Sequence, residues 1–329
     1  MNLVPERDPD DALEPSRGTA GLPIDRDELR ELTRPRAARA LGMTALLLAS
    51  WLGLGLAATR VDPWWARLPI WIVAGFLING LVQLGHDAWH HNPFARPWQN
   101  QIYGHLFSLL FGVSFSAARH AHLRHHWYNR TERDPDAYNV GAAGALVKVQ
   151  YYVVIFLGLV LAPLHFNVLY PAAFYPRRAW PRHLAELCAY ALAYLILFRL
   201  VLAPRGLVPI AIQVWLVPLL FATPWNGLKS VSDHFANTWK GDRFHTATTV
   251  RTTALWSLLW NGLNYHLDHH LFPRVPGYNL ARVHARIRPA LVEREAPLFD
   301  GYLRVFWAAF RAGPVHVDDG HRFLKRDRR

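Results

Sequence analysis

Residues 264–284 read NYHLDHHLFPRVPGYNLARVH, and the HLDHH at 266–270 repeats a grammar met twice more, as HLRHH at 122–126 and HDAWHH at 86–91. On a helix, side chains three or four apart share a face. His86 can therefore converge with His90 on one ion, His122 with His126, and His266 with His270. Adjacent histidines such as His125 and His126, or His269 and His270, point about 100° apart and suit different ions. Three such boxes on facing helices build two metal sites side by side. A lone His-x-x-x-His is more often an ordinary surface or core pair; three of them at the ends of apolar segments are not. His91 extends the first box by a second spacing and is a further candidate ligand. The solitary His105, His165, His183, His245, His284, His316 and His321 read as interfacial or solvent-exposed, and His120 lies off the face of its box.

The rest of the composition fits a membrane protein. Of 329 residues 52% are apolar and 18% charged, with mean hydropathy +0.03, against about 45–50% and 25% in ordinary soluble chains. The 18 histidines nearly match the 24 acidic residues, and an apolar chain has no generic use for so many imidazoles. One cysteine, Cys188, excludes a disulfide framework, a cysteine zinc site and an iron–sulfur cluster. The net charge of +12 is spread along the chain and no nucleic-acid motif accompanies it. Positive charge on membrane-flanking loops is the simpler reading.

Five apolar segments follow a polar stretch at 1–36, which reads as a mostly disordered tail with no signal peptide. Segments 41–58 and 68–84 form one hairpin, and 187–203 and 206–228 form another; 149–164 lies between. If all five crossed, the early and late histidines would face opposite sides. Pro163, His165, Asn167 and Pro171 close off the middle segment, which therefore reads as a monotopic helix. Four crossings remain, and 32 of the 36 Lys and Arg then fall on the side of the boxes. Gly53 and Gly55, alternating with leucines inside the first apolar segment, read as helix-packing positions. Asn129-Arg130-Thr131 matches a glycosylation acceptor but lies on the inner side. The expected fold is an all-α integral membrane protein, with four transmembrane helices in two hairpins and a cytosolic helical cap holding the metal site. Residues 37–300 form that domain, and 301–329 form a basic C-terminal tail.

Neutral imidazole suits zinc, copper, iron or nickel. Asp87, Asp233 and Asp268 stand beside the proposed ligands and are candidates to accept the second ring N–H.

At these residues the chain resembles the membrane fatty acid desaturase superfamily, which also holds lipid hydroxylases and carotenoid oxygenases. The resemblance covers about residues 40–290, through HDAWH at 86–90, RHAHLRHHWYNRTERDPDAY at 119–138 and the stretch at 264–284. It implies two non-haem iron ions on the cytosolic face of a four-helix, mushroom-shaped protein, with O2 as co-substrate. It also implies a further ligand histidine between the last span and the third box, which nominates His234 in SVSDHFA, and an Asn acting through water, for which Asn264 and Asn226 both qualify. Asp268 stands where Glu is frequent in the family.

The implied reaction is hydrogen abstraction from an unactivated C–H bond, leading to a double bond or, by hydroxyl rebound, an alcohol. The segment after the third box resembles acyl-lipid desaturases; NRTERDPD also resembles carotenoid hydroxylases and ketolases, the alternative reading. No Rossmann fingerprint, flavin motif, cysteine cluster or haem-binding His-Pro-Gly-Gly is present. Electrons are therefore expected from an external ferredoxin, or cytochrome b5, with its reductase, drawn to a basic inner face. A membrane metal-binding or transport protein is the reading from another class, and the near absence of ionisable residues within the spans argues against it.

Overall fold

The computed structural model describes residues 21–313 apart from 132, 137–144, 236, 239 and 240. The order is α1 (Arg26–Leu32), α2 (Ala37–Ala58), α3 (Leu68–Trp89), α4 (Pro97–Phe111), α5 (Phe115–Tyr128), α6 (Ala145–Leu164), α7 (Tyr170–Phe174), α8 (Trp180–Ile196), α9 (Val208–Ala211) and α10 (Val217–Asp233). There follow β1 (Thr249–Arg251), α11 (Ala254–Leu259), α12 (His266–Leu271), α13 (Leu280–Glu293), β2 (Leu298–Asp300) and α14 (Tyr302–Ala312).

Among the described residues, five helices are long and apolar enough to cross a membrane: Arg26–Ala58, Trp64–Trp89, Tyr151–Phe174, Arg177–Leu202 and Val208–Asp233. Their outward faces carry exposed Leu46, Leu52, Leu56, Leu192, Leu195, Leu200 and Leu220, and a run of exposed large apolar side chains marks a surface that something apolar covers. Where helices meet, small residues let backbones approach. A methyl group on Gly75 would lie 2.5 Å from the Phe221 carbonyl carbon, so α3 packs directly on α10. Of the two glycines singled out in α2, only Gly55 does this, against Val214 of the π-helical turn Ile212–Leu216; Gly53 faces open space. Trp51 donates to the Val214 carbonyl at 2.8 Å.

Segment 149–164 becomes part of Tyr151–Phe174, with a π-helical turn at His165–Leu169. Both of its ends touch elements near the boxes. Tyr151 donates to the Ala309 carbonyl of α14 at 3.1 Å. Tyr170 has its hydroxyl 2.6 Å from His120 Nδ1 on α5.

Helices α4 and α5 form a hairpin that delivers the second box. Gly112, at φ 69°, ends α4 in the left-handed region that favours glycine, and Ser114 caps α5 by accepting from the Ala117 N–H. Glu186 of α8 reaches across to accept from Ser114 Oγ at 2.8 Å and from the Ser116 N–H at 3.1 Å. A carboxylate is thereby placed at the N-terminus of the second-box helix, where the helix dipole favours it.

The fold departs from the expectation in three places. Thr249–Arg251 and Leu298–Asp300 pair in parallel, so a short sheet stands in an otherwise helical chain; Thr249 and Val250 are β-branched and suit it. Of the proposed N-terminal tail, 1–20 lie outside the described residues, but α1 is ordered. Asp25 caps it, and Leu22 and Leu32 enter a core with Leu267, Leu271, Val283 and Ile287. At the other end, Tyr302, Val305 and Ala309 bury α14 against α6 and α10, so the tail read from 301 begins with a packed helix. Residues 314–329 lie outside the described part.

Candidate metal centre

The nine boxed and nominated histidines come together as two groups. His86, His90, His122, His126 and His269 form one; His125, His234, His266 and His270 form the other. Within each group the ligand-capable atoms all lie within 4.8 Å of one another. His86 sits in the last turn of α3 and His90 at its C-cap; α5 supplies three rings, α12 three more, and His234 follows α10 directly. The spacing argument explains the split, since His125 and His126 on α5, and His269 and His270 on α12, enter opposite groups. His126 and His270 stack across the divide, with centroids 4.1 Å apart and planes at 16°.

The ring nitrogens point at each other. Nε2 of His90 lies 2.7 Å from that of His122, His126 lies 3.0 Å from His269, and His266 lies 3.1 Å from both His234 and His270. Two nitrogens at right angles on bonds of about 2.1 Å to one ion stand about 3.0 Å apart. Neither nitrogen of His86 has a hydrogen-bond partner, although both are buried. In proteins generally most buried donors and acceptors are paired. Ring nitrogens that converge on one another away from solvent are what a cation requires.

The electrostatics agree. Burial, and then repulsion from neighbouring rings, hold His90, His126, His269 and His270 well below the ordinary 6.5. His122 and His234 are lowered in the same way, and His266 by burial and then by the Lys229 charge. They are neutral at physiological pH, which is the ligating form. His125 differs: burial lowers it, but the Asp134 carboxylate more than offsets this and lifts it to about 8.

The carboxylates chosen from sequence behave unequally. Asp233 Oδ2 lies 3.6 Å from His266 Nδ1 and 2.5 Å from Lys229 Nζ, in a pair almost wholly buried. Asp87 accepts instead from Asn261 Nδ2 at 2.7 Å and the Gly277 N–H at 3.0 Å, tying the first box to the loops on either side of the third. Asp268 accepts from Thr249 Oγ1 at 2.7 Å and contacts His284 Nδ1 at 3.1 Å. Each follows or precedes a boxed or nominated histidine directly, so its side chain leaves the helix on another face. His91 turns away at φ 57° and lies outside both groups. Asn264 is engaged elsewhere, accepting from Ser257 Oγ at 2.7 Å and donating to the Val250 carbonyl at 3.0 Å. Asn226 is half-buried in α10.

Other residues escaped the sequence reading. Asp134, in the DPD that trails the second box, holds His125 Nδ1 at 2.8 Å. His284 and His183, read as interfacial or exposed, are buried. His284 follows the apolar period of Leu280, Val283, Ile287 and Leu291, a signal visible in the chain. Lys229 and Glu186 are charged residues in apolar helices, a cue to function or structure in their own right.

A lipid-facing bundle that gathers nine imidazoles, most of them buried, into two convergent groups defines a membrane protein with a histidine-rich metal-binding centre. The model of the fatty acid desaturase family matches residues 62–302, and the chain belongs to that family. It is 26% identical to an sn-1 oleoyl-lipid 12-desaturase of Picosynechococcus sp., over 70% of this chain and 72% of the relative. It is 22% identical to an sn-1 acyl-lipid omega-3 desaturase (ferredoxin) of Synechocystis sp., over 88% and 89%. With an endoplasmic-reticulum acyl-lipid omega-3 desaturase (cytochrome b5) of Arabidopsis thaliana it shares 23% over 69% and 65%. The chain is a desaturase-type oxidoreductase that acts on lipids.

Proposed function

We propose that the chain introduces a double bond into a long acyl chain held in a lipid, using O2, two iron ions and electrons from a ferredoxin or cytochrome b5 served by a reductase. The observation that carries this is the pair of histidine groups, five and four rings, with Nε2 atoms about 3 Å apart. His86, His90, His122, His126 and His269 would hold one iron, and His125, His234, His266 and His270 the other. Bound there, the ferrous pair supplies activation of O2 toward an unactivated C–H bond.

The protein's own part is positioning and exclusion. Burial keeps water from the ligand nitrogens. Asp134 fixes the orientation of His125, and Asp233 with Lys229 flanks His266. Asp87 holds the third-box loops to α3. The apolar faces of the spans offer walls for an alkyl chain. The relatives named for oleoyl-lipid and acyl-lipid substrates support an acyl lipid as the substrate class, and the ferredoxin and cytochrome b5 in the names of two of them support either carrier.

The topology proposed is four crossings, with the boxes and both termini in the cytosol. Its support is that both ends of Tyr151–Phe174 touch elements beside the boxes, as a helix lying along one face would. The bias of 32 of 36 basic residues supports the cytosolic assignment.

The test is expression with a compatible donor in a host supplied with saturated or monounsaturated acyl chains and, separately, with β-carotene. New unsaturated acyl methyl esters are the expected product. Hydroxylated or ketolated carotenoid with unchanged acyl chains would overturn the assignment in favour of a carotenoid oxygenase.

A further inference from the structure

Helix α14 has an exposed side that its packing leaves uncovered. Tyr302, Val305 and Ala309 face the core. Leu303 and Trp307 are 64% and 51% exposed and share the opposite face. Arg304 and Arg311 are exposed beside them, and the Arg311 guanidinium lies 4.7 Å over the Trp307 ring. Trp307 in turn stacks on Phe310, whose ring contacts Tyr152 at 5.3 Å and Phe156 at 6.1 Å. Phe156 and Leu157 belong to the outward apolar surface of Tyr151–Phe174. The apolar strip of α14 therefore continues a surface already facing lipid, and its far edge is basic.

We propose that α14 lies in the membrane–water boundary on the side of the histidine groups, with Leu303, Trp307 and Phe310 among acyl chains and Arg304 and Arg311 on anionic phospholipid headgroups. A helix with an aromatic apolar face and a basic edge suits that boundary. Cationic side chains beside an anionic leaflet are each attracted to it. An acidic protein partner is the competing occupant; it would use the arginines but leave Leu303 in water until it bound. The proposal rests on the membrane placement of the spans proposed above.

The experiment places a spin label on the full chain in a Cys188→Ala background, reconstituted in phospholipid nanodiscs. Three labelled variants are compared by collision with O2, which partitions into lipid, and with a neutral nickel complex, which stays in water. They are Leu303→Cys on α14, Leu192→Cys on the exposed apolar side of α8, and Arg288→Cys on the exposed side of α13. The expected result is a several-fold higher O2-to-nickel collision ratio at Leu303 than at Arg288, with the highest ratio at Leu192. The ratio at Leu303 should rise when anionic phosphatidylglycerol replaces part of the phosphatidylcholine, and this rise should vanish in Arg304→Gln/Arg311→Gln. A Leu303 label as wet as Arg288, with Leu192 dry, overturns the proposal alone. A wet label at Leu192 overturns the membrane placement itself. A rise with anionic lipid that survives both Arg substitutions overturns the headgroup contact. Metal content equal to the parent's shows that each labelled chain has folded.

Discussion

Asp134 holds His125 by a 2.8 Å contact between Oδ1 and Nδ1, and the same carboxylate accepts from the backbone N–H groups of Arg130 and Asp136. The carboxylate is thus fixed by the turn that follows α5, and it fixes the ring in turn. This leaves Nε2 of His125 facing the group of His234, His266 and His270.

That relationship predicts a pH dependence. His125, lifted to about 8, is protonated below that pH in the metal-free chain, and a protonated ring does not ligate. Metal uptake by its group should therefore weaken as pH falls through about 8. Asp134→Asn removes the charge that raises the ring, so the midpoint should move to lower pH. At high pH the same variant should bind roughly 10–100-fold more weakly, because the orienting partner is lost. Metal titration of the apo-protein across pH checks both signs; an unchanged midpoint would contradict the role of Asp134.

Substitutions should separate the two groups. His269→Ala removes a ring from the five-membered group and His125→Ala one from the four-membered group. Each should lower metal content from about two per chain toward about one and abolish desaturation, while membrane insertion is kept. Elemental analysis of the purified variants reads this directly, and full activity in either one would exclude its histidine as a ligand.

The proposed topology predicts labelling from one side only. In Cys188→Ala cells, Asp62→Cys in the loop between α2 and α3 should react with an impermeant thiol reagent added outside. Arg288→Cys, exposed on α13, should react only after the membrane is opened. Labelling of the Arg288 site in intact cells would reverse the orientation.

Glu186 should matter for stability and for metal loading together. It is buried, and it accepts from Ser114 and Ser116 at the start of the second-box helix. Glu186→Ala leaves those donors unpaired at a cost of about 1–3 kcal/mol. A lower Tm accompanied by reduced metal content is the expected result, with Glu186→Gln intermediate.

The boxed histidines are legible because the i, i+4 rule needs only local spacing, whereas His234 follows only from the family resemblance. The rule also sorted His125 from His126 and His269 from His270 into different groups. Carboxylate partners were not legible in the same way. Asp87 and Asp268 were chosen for being next to a ligand in sequence, yet adjacency on a helix turns a side chain away. Asp87 instead meets Asn261 and Gly277, more than 170 positions downstream. Asp134 is nine residues from His125 and reaches it only because the chain turns back after α5. Helix α1 is hidden by its polar sequence, in which Leu32 alone is buried, and α14 by the basic residues that follow it and make the whole stretch read as a tail, although Tyr302, Val305 and Ala309 dock it. The pairing of Thr249–Arg251 with Leu298–Asp300 joins segments almost 50 residues apart, beyond the reach of any local pattern.

Neither histidine group belongs to one stretch of chain. The first draws on residues from 86 to 269 and the second on residues from 125 to 270. A ribosome that has emitted the first two boxes has still to make every ring of the third, and neither group is complete until His269 and His270 have emerged. Loading is therefore a late event in synthesis or one that follows it: the cell must deliver metal to a protein already threaded into its membrane, and a shortage at that moment leaves an inserted but inert chain.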